Sequence, residues 1–459
     1  VLGWGWLFAA MIANLVWAMP QFSLGTAAMQ QNLGLELSNE VCTAILFVIA
    51  AVVIWFYDAG GWGIKLFEIL LKILVAFIVL AFFGVVIALA TKGQLNGGAV
   101  LAGFIPDFSL LSQPAEGLRP FIEASSNSKY WSGEVVSIQK NTMIAAAATA
   151  VGINMTFLLP YSMLRKGWDK TFRGLATFDL STGLFVPFLL ATSCVVIAAA
   201  SQFHAQADPA LWGDAEPTAV TEKLQGGYDK NIGAFIEANP DIEPNEADKQ
   251  LAAMTIKSDA FALASSLENV TGSKAVAQII FGLGVVGMAI STIIILMLIN
   301  GFTFTEALGV KNSGVMHRVG SYLPAFTGAF GFLFLWGAIP EAKFWLAVPT
   351  SRIGMILLPV AYLTFFLMMN NKRLMGNNML QGGKKLVVNI IMVAAILVSG
   401  YGCAISLWET NMPIPGMAEG GSLPHTVRPY LMTVVGVFIG LAIVVQMIRL
   451  AKPKAPSSA

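Results

Sequence analysis

The sequence predicts an all-α polytopic membrane protein of about ten transmembrane helices forming one domain over residues 1–459, and three observations lead there. Of the 459 residues 56% are hydrophobic and 12% charged, where an ordinary soluble domain carries about 25% charged residues. The mean hydropathy is +0.72. Apolar runs long enough to cross a bilayer core recur along the chain, and basic residues collect in every second connection between them.

The runs fall at 3–30, 41–57, 66–91, 139–163, 177–203, 276–302, 319–338, 344–369, 386–408 and 429–450. Each reaches the roughly 20 residues that a helix needs to span about 30 Å of hydrocarbon, and a helix satisfies its own backbone where lipid cannot. Arg165, Lys166, Lys170 and Arg173 follow the fourth run, Lys311 and Arg318 the sixth, and Lys372, Arg373, Lys384 and Lys385 the eighth. If ten spans alternate, all of these share one side with both chain ends, and that side is expected to be the cytoplasmic face of the plasma (inner) membrane. The two long connections, 92–138 and 204–275, then lie outside. The second holds twelve Asp and Glu against five Lys and is expected to be a polar extracytoplasmic loop rather than a folded unit.

Composition and spacing weigh against several classes. A net charge of +1, with no basic face, gives no nucleic-acid footprint. Cys42, Cys194 and Cys403 each sit inside an apolar run without paired spacing, as small buried hydrophobes do. No cofactor is expected. A membrane enzyme would gather His, Asp, Glu or Cys at one surface, yet His204, His317 and His425 are far apart in the chain. A channel would show a repeated pore signature, and none is visible. The partners expected are a transported solute and the bilayer, and nothing in the sequence signals an oligomeric state. The chain opens at Val1 inside an apolar stretch with no signal peptide, which leads us to expect further sequence upstream.

The fourth run carries the strongest internal signal. Gly152 weakens its helix, and Pro160 cannot donate to the carbonyl of Thr156. Entered near residue 139 at about 1.5 Å per residue, positions 152–156 lie roughly 20 Å deep, close to the midplane. A break there exposes carbonyl oxygens, with Asn154 and Thr156 adding side-chain oxygens, and Met155 and Phe157 stand beside them. An ion site and a packing kink both fit this pattern. In the eighth run Ser351 and Arg352 interrupt the apolar sequence some 13 Å into the span; an arginine at that depth is a functional residue, or it reaches a wet vestibule or the interface with its head. Asn14, Pro20 and Gln21 are the polar or kinking elements of the first run. Asp179 reads as a helix-end residue and His204 as an interfacial one.

Four stretches, in order and spacing, resemble one family. These are Lys65-Leu66 with Glu68; Phe178-Asp179-Leu180 through Ala198-Ala199-Ala200 to Phe203-His204; Gly287 through Ser291-Thr292; and Leu358-Pro359-Val360-Ala361 followed by Asn371-Lys372-Arg373-Leu374-Met375-Gly376. They are similar to helices 5, 7, 8 and 10 of the NRAMP metal-ion transporters, so the chain resembles that family from its third helix to its twelfth. The resemblance implies an inverted-repeat, amino-acid-transporter-like bundle whose first two helices, with the family's Asp-Pro-Gly-Asn metal-binding break, are absent from this sequence. It implies a secondary transporter of a divalent metal cation.

Departures from the family pattern refine this expectation. Met155, Thr156 and Phe157 stand where the family carries Met-Pro-His, and a shift of one residue would move even the Met. Ser351 stands near a family glutamine. With the soft ligands gone, oxygen donors suit a harder ion such as magnesium. Residues 1–35 contain no Asp, Glu, Lys, Arg or His, and Met19 and Phe22 occupy the positions of the family's proton-carrying acids, which puts proton coupling in question. The expected site comprises Asn154, Met155, Thr156 and Ser351, with Gly152, Phe157 and Arg352 along the path. Transport of an organic or anionic solute, or a channel, is the alternative, and Arg352 favours the anionic case.

Overall fold

The computed structural model describes residues 2–57, 62–93, 95–105, 107–150, 152–165, 167–206, 209–213, 219–256, 264, 267, 272–312, 314–336 and 347–409. Helices account for nearly all of the ordered backbone, and no strand occurs among the described residues. The tenth expected span, 429–450, and His425 lie outside them.

Helix α1 (Leu2–Ala27) carries no charge and continues as a π-turn over Ala28–Asn32, after which Gly34, at φ +66°, ends the run. Helices α2 (Asn39–Tyr57) and α3 (Trp62–Thr91) follow, then a short α4 (Gly97–Ala102) capped by the Asn96 side chain. After α5 (Arg119–Ala124) the fourth expected span appears as two helices, α6 (Ser128–Ala150) and α7 (Met155–Arg165). The fifth is α8 (Arg173–Leu180) and α9 (Val186–Phe203), joined by a π-turn at Ser181–Phe185. Two further helices, α10 (Ala219–Ala238) and α11 (Glu246–Met254), lie in the 204–275 segment. Then come α12 (Lys274–Leu308), α13 (Val315–Gly331, extended by a π-turn to Trp336), α14 (Ala347–Met369), the single turn α15 (Lys372–Met375) and α16 (Gly382–Glu409).

Six helices among the described residues are long and apolar enough to cross a membrane: Gly3–Asn32, Asn39–Phe56, Lys170–Ser201, Lys274–Leu308, Thr350–Met369 and Gly382–Leu407. The difference from ten has local causes. The fourth span is divided by its break, while most side chains of α3 before Phe82, residues 337–346 after α13 and the tenth expected span lie outside the described set.

Helix α1 stands at the centre, packed by α2, α12, α13 and α14. Its Phe22 meets Cys42 and Leu46 of α2, Ile293 and Met297 of α12 and Phe332 beyond α13 in the largest apolar cluster. Small residues permit this closeness, as expected where helices associate in lipid. A Cβ added to Gly328 would come within 2.7 Å of Ala18, and one on Gly331 within 2.8 Å of Met19. Large apolar side chains of α2, α3, α9 and α16, among them Val48, Trp55, Leu80, Val196, Ile390 and Leu397, face outward where a bilayer would cover them. The three cysteines are free and buried, as their sequence context indicates.

The 204–275 segment departs from the expectation of a polar loop. Its α10 and α11 pack with α5 and the first turns of α6 around a second core made of Ile122, Trp131, Val135, Leu211, Phe235 and Leu251. The apolar stripe Leu224, Tyr228, Ile232 and Phe235 has helical spacing but is diluted by the charged face opposite, which is why composition concealed it. Asp248, fully buried, ties this cap together. Its carboxylate accepts from Trp131 Nε1 (2.7 Å), from Asn245 N (2.8 Å) in a capping box, and from the backbone N and Oγ of Ser126. A strap over residues 110–115 is fixed to α6 by Gln139, whose Nε2 donates to the carbonyls of Leu110 and Gln113 (both 2.9 Å) while its Oε1 accepts from Ala115 N (2.7 Å).

Candidate functional site

The break between α6 and α7 falls where Gly152 places it. Gly152 and Ile153 are buried and Asn154 is 1% exposed. The chain makes a turn here rather than leaving all its carbonyls open. Met155 N donates to Gly152 O (3.1 Å), Thr156 N to Ile153 O (3.3 Å) and Phe157 N to Asn154 O (3.0 Å). Asn154 Oδ1 caps the start of α7 by accepting from Met155 N (3.0 Å), which partly satisfies the exposed helix N-terminus. The carbonyl oxygens of Gly152 and Asn154 each keep a second lone pair, whereas Ile153 O accepts from both the backbone N and the hydroxyl of Thr156.

The expected site residues separate into two groups. Thr156 is held, since its hydroxyl donates to Ile153 O and accepts from Trp6 Nε1 (2.7 Å). Phe157 is buried beneath the break, its ring 4.2 Å from that of Trp6, and the stack continues through Tyr161 to Phe302 of α12 (5.0 Å between the last two). Tyr161 closes its end by donating from its hydroxyl to Glu306 Oε2 (2.6 Å). Met155, by contrast, is 44% exposed. Ser351 and Arg352 are 5% and 6% exposed, so Arg352 is enclosed by protein and does not reach an open vestibule.

Two tryptophans that sequence reasoning passed over organise the site. Trp6 and Trp17 are eleven residues apart on α1, three turns to within about 20°, and so share a face some 16 Å from end to end. Trp17 Nε1 donates to Thr350 O of α14 (2.8 Å). Its ring fills a slot between two glycines, because a Cβ on Gly152 would lie 2.6 Å from it and one on Gly354 2.5 Å. The indole thus touches both the break and α14 where neither backbone carries a side chain. Ala10 and Ala13, both fully buried, complete the stripe between the tryptophans and let Phe157 and Ile153 approach α1. The signal was present as Trp6-Ala10-Ala13-Trp17 at helical spacing.

Other expected residues have lesser roles. Asn14 is buried and donates to Asn300 Oδ1 of α12 (3.5 Å), and Asn300 donates onward to Gly320 O (2.7 Å). Asp179 is exposed near the end of α8, and His204 is exposed at the end of α9 beside Gly117 of the cap. Met19 and Phe22 pack against Gly331 and Gly328 without a polar partner in that contact. Among the described residues no three His, Cys, Asp or Glu side chains come together as a soft or acidic metal cluster.

An apolar helical bundle with a helix interrupted at depth and oxygen donors at the interruption is the architecture of a membrane transporter. The family assignment follows. The model for natural resistance-associated macrophage protein-like (Nramp) proteins matches residues 1–225 and 248–405, and the chain belongs to that family. Its members transport divalent metal ions across membranes and are not enzymes. The unmatched residues 226–247 form the latter part of α10 and its turn into α11, inside the cap. No curated protein matches the chain.

Proposed function

We propose that this chain is a secondary transporter that carries a hard divalent cation, magnesium being the representative, along a path passing the break between α6 and α7. The observation that carries the reading is the buried turn Gly152-Ile153-Asn154, whose donors are backbone and amide oxygens, while Met155 beside it is exposed. Oxygen donors suit magnesium, which holds its waters tightly and takes few protein ligands, whereas sulfur and imidazole donors favour softer transition-metal ions. The two chain ends and the basic connections lie on the cytoplasmic side in this reading, and the cap on the opposite side.

The test is uptake into proteoliposomes containing the full protein and a trapped magnesium indicator. Asn154→Ala removes the capping oxygen at the break and is expected to reduce uptake at least tenfold with normal yield of folded protein; Thr156→Val, whose hydroxyl is already committed to Ile153 O and Trp6, has the smaller effect on affinity. Unchanged uptake in Asn154→Ala, or competition by cadmium stronger than by magnesium, would refute the hard-ion site. A second reading, transport of an anionic solute, draws on the enclosed cation Arg352 next to Ser351. At about 10 Å a unit charge opposes a divalent ion by roughly 3 kcal/mol at an effective dielectric of 20. Arg352→Gln is thus expected to raise cation uptake, and loss of cation uptake in folded protein would overturn that expectation.

A further inference from the structure

We propose that Trp17 is a positioning residue of the transport cycle: its indole keys the break at Gly152 to α14 at Gly354, and the two helices part only when the ring leaves that slot. The inference rests on reading the break as part of the transport path. Three contacts carry it. The ring leaves no room for a side chain on either glycine, since a Cβ on Gly152 would meet its Cζ3 at 2.6 Å and one on Gly354 its Cζ2 at 2.5 Å. Its Nε1 donates to Thr350 O at 2.8 Å, which fixes the ring against sliding along α14. Its own backbone belongs to α1, which is anchored independently by Phe22 in the main core and by the Leu15 carbonyl accepting from Thr327 Oγ1 of α13 at 3.1 Å.

The chemistry of the two glycines changes on this view. Gly152 interrupts a helix, but Gly354 sits within α14, where a glycine costs about 1 kcal/mol relative to alanine and needs a packing reason. The indole is that reason. Trp6 binds the divided span lower down, holding the side chain of Thr156 on α7 and stacking on Phe157, with Phe365 of α14 edge-on to it at 5.1 Å between ring centroids. Trp17 meets the break itself and α14 together, beside the direct packing of Ile144, Ala148 and Ile153 with Met355 and Leu358 of α14. Motion that carries Gly354 of α14 away from the break therefore has to break the Nε1 bond and move the ring from beside one of the two glycine backbones. Trp17 is half-buried, so the edge of the ring has a side not closed by protein.

The experiment uses the full protein in proteoliposomes, with cysteines removed and one introduced by Ser351→Cys, next to the carbonyl that Trp17 holds. Two readouts are taken: the rate at which an impermeant thiol reagent modifies the cysteine, and magnesium uptake. Trp17→Ala empties the slot and Gly354→Ala drives the ring from it. Both are expected to raise the modification rate about tenfold or more and to lower maximal uptake by a similar factor, with the half-saturating magnesium concentration moving less than threefold. Trp17→Phe, which refills part of the slot without the N–H, falls between. A control cysteine from Asn377→Cys, exposed beyond α15, keeps its rate in every variant.

An unchanged modification rate at Ser351→Cys in Gly354→Ala and Trp17→Phe overturns the proposal, whether or not Trp17→Ala folds. Equal losses in affinity and maximal rate, with no change in modification, identify a plain packing role and overturn it as well. If the parent protein takes up neither magnesium nor manganese, the transport reading fails, while the modification rates still decide whether the indole keys the two helices together.

Discussion

Asp248 is the point at which the cap can be tested most sharply, because one carboxylate serves donors from three separate segments. In Asp248→Ala the Trp131 indole N–H, inside the cap core, is left without a partner and water has no route to it. A buried unsatisfied donor costs about 1–3 kcal/mol. The Asn245 and Ser126 donors lie nearer the surface and can turn to water, so only part of their charge-assisted bonds, worth about 1.5–3 kcal/mol each, is lost. The sum is about 3–4 kcal/mol of local stability. Hydrogen exchange on the intact protein in nanodiscs reads that quantity directly, since α10 and α11 exchange through opening of the cap. At about 1.4 kcal/mol per decade, protection of their amides is expected to fall by roughly two to three decades, with α12 unchanged. Asp248→Asn, which keeps the shape but turns one acceptor into a donor facing other donors, falls between. Protection of α10 and α11 within threefold of the parent would show that Asp248 does not hold the cap and that the core is sufficient without it.

Two further predictions address orientation and coupling. Single cysteines at Glu237 and Asn377, both exposed, are expected to react with an impermeant reagent in intact cells only at the first; equal reaction at both would overturn the assigned sidedness. Because α1 has no titratable side chain and packs Met19 and Phe22 directly on the glycines of α13, an inward pH gradient at zero membrane potential is expected to change magnesium uptake less than twofold. Acceleration of several fold would place a proton path on other helices.

Much of the bundle was legible because lipid imposes a simple rule, that a spanning segment must be long, apolar and helical, and residues 3–30, 41–57 and 386–408 obey it to within a few positions. The break at Gly152 was legible for the same reason, since glycine followed by proline is informative only against an otherwise unbroken run. Helix ends were less so. The sixth run was expected to stop at 302, yet α12 continues to Leu308: Thr303 and Thr305 satisfy their hydroxyls on Asn300 O and Gly301 O, so polar residues are accommodated in the helix, and the chain turns only at Gly309, with φ +66°. The cap was missed because its apolar stripe is shared among segments a hundred residues apart, and charge counting averages such a stripe away. Trp17 was missed for a different reason. A tryptophan among apolar neighbours looks like lipid-facing bulk until the two glycines that receive it, distant in sequence, are brought together.

One helix belongs to both worlds. Trp131 and Val135 near the start of α6 are part of the cap core, and Ile144 and Ala148 near its end are part of the bundle. Between them the 23-residue helix is a stiff rod of about 35 Å that ends at Gly152. A swing of about 10° at that joint moves the far end by roughly 6 Å, so the cap serves as the pointer of a gauge whose pivot is buried in the membrane. The leverage also runs the other way. An antibody fragment or any bulky molecule that grips the cap takes hold of the long arm, and it can brake the joint from the water without ever coming near the ion.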